Sequence, residues 1–167
     1  TCFNLIAGVY KPDTGSITLN GARIDGRRPD EICKAGIGRT FQIVRPFPSL
    51  SVEDNVTIGA LLHRSDVGAA RSYARDVLAK LDLFDKRAVT ASALTLPKRK
   101  RLEVARALAT DPKLLLLDEV MAGLVPTETD RMVEILRGLN RDMGVTILLI
   151  EHVMRAVMAL AGKVLVL

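Results

Sequence analysis

Apolar and polar residues change their spacing several times along this chain, and each change predicts an element. Residues 1–8, "TCFNLIAG", read as a helix. In "GSITLNGARI", Ile17 and Leu19 alternate with Ser16, Thr18 and Asn20 before an Asn20-Gly21 pair. That is the pattern of a half-exposed antiparallel hairpin. "GIGRTFQ" is a short strand-like piece ending at Gln42, and "IVRPFPSL" is a loop broken by proline. Ser51, followed three residues later by Asp54, is a helix start. The helical stretch it opens runs to about Ala93, with Leu61, Leu62, Val77, Leu78 and Leu81 as apolar faces. Pro97 to Thr110 forms a second helix through Leu102, Ala105, Leu108 and Ala109.

From Lys113 the period shortens. "KLLLLDE" is continuous and apolar, as in a parallel strand buried on both faces. Thr127 to Asn140 is a helix with Val133, Leu136 and Leu139 on one side, closed by Gly144. "VTILLIE" is a second buried strand, His152 to Leu160 a helix, and "KVLVL" a third strand. Strand–helix–strand–helix–strand predicts an α/β fold with a parallel sheet covered by helices. In such sheets function gathers at the carboxyl ends of the strands.

Composition changes this picture little. The 167 residues are enough for one domain, and 49% hydrophobic with 26% charged residues is a folded soluble profile. The longest apolar run, Val145 to Ile150, is far below the ~20 residues needed to span a bilayer. No basic leader precedes the first helix, so no secretory signal is expected. Cys2 and Cys33 are too few for a disulfide framework or a zinc site and read as small core residues in a reducing compartment. A net charge of +5 fits nucleic acid, anionic phosphates or a solvated surface. Aromatic residues at 4%, with no Trp, disfavour a base-stacking surface, and no nucleic-acid partner is expected.

The candidate chemistry lies where the leucines end. Asp118 and Glu119 sit at one strand's carboxyl end, Glu151 and His152 at another's. Any sheet strand can finish in polar residues. The sharper alternative is phosphate transfer, in which an Asp holds Mg²⁺ and the next Glu activates a water.

The surroundings favour the sharper alternative. "LEVARALATDPKLLLLDEVMAGLVPTETD", with "LLIEH" some thirty residues later and "GRTFQ" upstream, resembles the core of ATP-binding cassette (ABC) ATPases. "RLEVARAL", "LDEVMAGL" and "TILLIEH" are most similar to the ATPase subunits of branched-chain amino-acid importers. The resemblance implies a P-loop NTPase-like sheet with an inserted helical subdomain at about 43–94 and part of an antiparallel β-subdomain. It implies ATP and Mg²⁺ as ligands, with Asp118 and Gln42 at the metal and Glu119 as general base. His152 would contact the γ-phosphate, and Gln42 would couple to the membrane subunit. Thr1 would end the phosphate-binding loop. Pro97, Lys98 and Gly123 would face nucleotide or the opposite subunit. The loop from Ile43 to Leu50 would lie at the membrane-subunit contact. His63 carries no motif and reads as a surface or helix residue.

The implied partners are a second ABC ATPase subunit in a homo- or heterodimer, membrane permease subunits and, indirectly, a solute-binding protein. The implied place is the cytoplasmic face of the inner or plasma membrane, bound peripherally.

Two departures from the family pattern are visible. The glycine-rich loop and its Lys, whose N–H groups and charge would cradle phosphates, do not precede Thr1, so Thr1 to Leu167 reads as one partial domain, truncated at both ends. The signature "LSGGQ" is replaced by Leu94-Thr95-Leu96-Pro97-Lys98, with Pro97 in a Gly position and Lys98 in a Gln position. Lys98, Arg99, Lys100 and Arg101 then crowd a helix start, where positive charge opposes the helix dipole. An anion at that helix start or a solvated basic face would each account for them. Three functions fit these residues: an importer ATPase subunit, a non-catalytic truncated remnant, and a soluble ABC ATPase acting on nucleic acid. As a complete protein the chain is expected to be an ATPase; alone it is expected to be inactive.

Overall fold

The structure is a computed structural model that describes residues 2–41 and 46–165. In chain order its elements are α1 (Cys2–Ile6), β1 (Thr18–Leu19), β2 (Ala22–Arg23), α2 (Pro29–Lys34), β3 (Ile37–Arg39), α3 (Val52–Ala60), α4 (Val67–Lys80), α5 (Leu96–Leu108), β4 (Leu114–Asp118), α6 (Pro126–Met143), β5 (Thr146–Ile150) and α7 (Met154–Leu160). Short 3₁₀ turns at Phe84–Lys86 and Ala91–Ala93 join α4 to α5.

β3, β4 and β5 form a parallel sheet in that order, with Arg39 opposite Leu116 and Asp118 opposite Ile150. The central position of β4 explains its four leucines. Leu115 and Leu117 point to one side, into the large core shared with α3 to α6. Leu116 points to the other, against Phe3, Ile24, Ile32 and Ile37. Each fully buried leucine contributes roughly 1.5–3 kcal/mol. The helices at 52–80 belong to the same large core as the Leu115 face.

Local signals acted as predicted at several points. Asn20 and Gly21, at φ 50° and 80°, turn the hairpin that pairs Leu19 with Ala22. The Ser51 hydroxyl accepts the Asp54 N–H at 3.0 Å and caps α3. Gly144 ends α6 at φ 66°, a left-handed position that a side chain would strain.

Five expectations need correction. β5 is not buried on both faces: Ile147 and Leu149 join the core, but Leu148 and Ile150 are exposed, because helices cover only one side of this edge strand. Residues 163–165 of "KVLVL" are exposed and unpaired as a strand, since among the described residues no strand reaches them. His152 precedes α7 instead of opening it; its N–H is turned to the Glu151 carboxylate, 3.3 Å away. The stretch from Ser51 to Ala93 is two helices and two 3₁₀ turns, and Leu61, at the end of α3, faces solvent. Cys2 is exposed and Cys33 only half-buried, because α1 turns Phe3 inward in place of Cys2.

Candidate functional site

β4, the central strand, delivers Asp118 and Glu119 to the carboxyl end of the sheet. Thr40, fully buried, stitches this end to the segment after β3. Its N–H donates to the Leu116 carbonyl at 2.9 Å. Its hydroxyl accepts the Asp118 N–H at 3.0 Å and donates to the same carbonyl at 3.4 Å. The ladder therefore continues one residue beyond β3 through a side chain.

The Asp118 carboxylate lies 3.8 Å from the Arg39 guanidinium, within ion-pair range but beyond a hydrogen bond. Arg39 is itself held by Asn4 Oδ1 at 2.7 Å and sits over the Phe41 ring, 5.2 Å from its centre. A second carboxylate, Glu103 on α5, accepts the Phe41 N–H at 2.9 Å. Burial raises the Glu103 pKa above the ordinary carboxylate value, and the Phe41 N–H works against that rise.

Glu119 has left the strand conformation. Its φ is 49°, in the left-handed region that non-glycine residues adopt at a cost of about 1–3 kcal/mol. Both of its backbone groups are held in this position. Its N–H donates to the Ile150 carbonyl at 3.0 Å, and its carbonyl accepts the Lys100 ammonium at 3.0 Å. Its carboxylate is 29% exposed and lies 3.9 Å from Nδ1 of His152, which is 67% exposed. Glu151 braces both loops: one oxygen accepts the Met121 N–H at 2.7 Å, the other the His152 N–H at 3.3 Å.

The basic run at the start of α5 is neither a simple solvated face nor an open anion site. Lys100 and Arg101 are only 5% and 8% exposed. Arg101 pairs with Glu128 at 2.6 Å, and Arg99 donates to the carbonyls of Leu94 and Ser92. Internal acceptors thus absorb three of the four cations. Pro97 stands in the first turn of α5, where its missing N–H costs no helical bond. Lys98 beside it is half-buried. Gly123, at φ 78°, lies in the exposed loop between Glu119 and α6, and a Cβ there would meet Leu96 of α5 at 3.4 Å.

Among the predicted residues, then, Asp118, Glu119 and His152 converge, while Pro97, Lys98 and Gly123 mark a neighbouring rim. Thr1, Gln42 and the Ile43–Arg45 part of the predicted contact loop lie outside the described residues. Sequence reasoning passed over Thr40, Arg39 and Glu103, and took Lys100 only as one of the cations at the start of α5. The one available signal was a lysine with helical spacing toward Glu103 and the core.

This donor set suits Mg²⁺. Among the described residues no three His, Cys, Asp or Glu side chains cluster as a metal cage. Mg²⁺ is ordinarily held by one or two carboxylates, waters and substrate phosphates, and the part-buried Asp118 carboxylate offers the protein's share of that arrangement.

Comparison with known proteins agrees with this geometry. The ABC transporter family profile matches residues 1–122, and the chain belongs to that family. It is 34% identical to the high-affinity branched-chain amino acid transport ATP-binding protein BraF of Pseudomonas aeruginosa, over 99% of this chain and 71% of that protein. It is 35% identical to LivG, of the same description, from Escherichia coli, with the same coverage. The methionine import ATP-binding protein MetN of Corynebacterium glutamicum is 36% identical over 99% of this chain and 47% of its own length. A nucleotide-free ATP-binding cassette from an ABC transporter superposes with a TM-score of 0.83 at 27% identity, covering 95% of this chain and 68% of that one. A cassette in its ADP conformation gives 0.81 at 28%, covering 94% and 66%.

Proposed function

We propose that this chain is the ATP-hydrolysing cassette of an importer for branched-chain amino acids or related solutes. The observation that carries this reading is the convergence of Asp118, Glu119 and His152 at adjacent strand ends, with Glu119 held left-handed. The solute class is supported by the identity to BraF and LivG over nearly the whole chain.

In this reading Asp118 and Gln42 hold Mg²⁺, which when bound neutralises charge on the phosphates. The Glu119 carboxylate accepts a proton from the water that attacks the γ-phosphorus. A positioned general base of this kind contributes typically 10²–10⁴-fold to rate. His152, at 3.9 Å from Glu119, donates to the γ-phosphate oxygens. Thr40 and Glu151 keep the two loops in register.

Thr1, Pro97, Lys98 and Gly123 contact nucleotide, the last three across a dimer of ATPase subunits. The 43–94 region is the helical subdomain of a single partial ABC domain, and it docks on permease subunits that receive solute from a binding protein. The cassette attaches peripherally at the cytoplasmic face; no described helix is long and apolar enough to cross a membrane.

The test is uptake of radiolabelled leucine, isoleucine and valine into vesicles carrying the complete transporter. ATP-dependent uptake that is lost with Glu119→Gln supports the proposal. ATP-dependent uptake of an unrelated solute alone would overturn the solute class.

A further inference from the structure

We propose that Lys100 is a positioning residue for catalysis: its buried ammonium, bonded to the Glu119 carbonyl, holds Glu119 in the left-handed conformation that aims its carboxylate toward His152. This rests on Glu119 acting as the general base proposed above.

Three observations converge on Lys100. It is 5% exposed, yet its hydrogen bond goes to a backbone carbonyl at 3.0 Å. A lysine desolvated to this degree ordinarily pairs with a carboxylate, and charge-assisted bonds to such a group are strong. Glu103, one turn along α5, is close enough to interact with it electrostatically, but its carboxylate is turned to the Phe41 N–H. Lys100 therefore spends its directed bond on the main chain of Glu119. That carbonyl is the one whose orientation changes when φ of Glu119 becomes 49°.

The Glu119 N–H is fixed by Ile150 and its carbonyl accepts the Ala122 N–H at 3.2 Å, so Lys100 supplies the charged anchor on the carbonyl side of the residue. Without that charge-assisted bond the strained residue is held less tightly and can relax toward an extended conformation, which swings its carboxylate away from His152. The arrangement also gives the basic run at 98–101 a use beyond surface charge.

The experiment is a double-mutant cycle on the complete ATPase with its transporter partners. Lys100→Met is expected to lower kcat for ATP hydrolysis about 10- to 100-fold with KM for ATP unchanged, and Lys100→Arg to restore most of it. In a Glu119→Gln background, Lys100→Met is expected to cause no further loss, because it acts only through that carboxylate. Thermal melting of each variant identifies any that fails to fold; Lys100→Gln, neutral and one atom shorter, then takes the place of Lys100→Met. In the wild-type subunit, a through-bond correlation between Lys100 Nζ and the Glu119 carbonyl carbon is expected by nuclear magnetic resonance.

A Lys100→Met protein with kcat within twofold of wild type overturns the proposal. So does a loss that adds to that of Glu119→Gln, or a rise in KM at constant kcat. If Glu119→Gln itself retains turnover, it is the general-base assignment that has failed.

Discussion

The Asp118 N–H donates to the Thr40 hydroxyl across 3.0 Å, and this bond joins the last residue of the central strand to the segment that leads to Gln42. Thr40→Val keeps the shape of the side chain and removes the acceptor. The Asp118 N–H then loses its partner, at a cost of about 1–3 kcal/mol. Thr40→Ser is expected to stay near wild type. Denaturant titration of the three proteins checks this, and ATPase activity is expected to fall with Thr40→Val and to persist with Thr40→Ser.

Why Thr40 went unread in the sequence is a matter of what local patterns report. Binary patterning specified β4, because four consecutive leucines require two buried faces, and Leu115–Leu117 and Leu116 occupy them. It also located Asp118, Glu119 and His152 from their places at strand ends. It misjudged β5 and "KVLVL", since an apolar run does not reveal whether a neighbour covers its second face. Side-chain bonds across 19 to 78 residues, such as Lys100 to Glu119 and Thr40 to Asp118, leave no periodic trace. The basic run looked like surface because composition alone does not say that Lys100 and Arg101 are buried.

At the altered signature, Pro97 supplies no N–H in the first turn of α5. Pro97→Gly together with Lys98→Gln is expected to raise ATPase activity of the assembled dimer. The restored N–H adds a charge-assisted donor to the phosphate, worth roughly 1.5–3 kcal/mol. The helix start loses its pre-set φ, so a small fall in melting temperature should accompany the gain. Steady-state hydrolysis at saturating ATP measures it; unchanged activity would mean that this position makes no contact with nucleotide.

Glu103 makes stability depend on pH in a definite direction. Its folded-state pKa lies above the ordinary value of 4.5 because burial penalises the charged form. The penalty is absent below the unfolded pKa, where both states are protonated, and grows as pH rises from there through the folded value. Glu103→Gln keeps an acceptor for the Phe41 N–H and removes the charge. The variant is therefore expected to equal wild type at pH below about 4 and to gain on it toward neutrality. Melting curves from pH 3 to 7 show the trend. A variant that loses stability as pH rises would contradict it.

The central claim is that the carboxylate of Glu119 takes the proton from the attacking water. Glu119→Gln keeps the shape, the backbone bonds to Ile150 and Lys100, and the neighbourhood of His152. The decisive measurement is single-turnover hydrolysis by the complete Glu119→Gln protein, alongside equilibrium binding of labelled ATP. Hydrolysis slowed by about 10²–10⁴-fold, with ATP affinity within a few-fold of wild type, is the predicted result. Hydrolysis at a near-normal rate would contradict it.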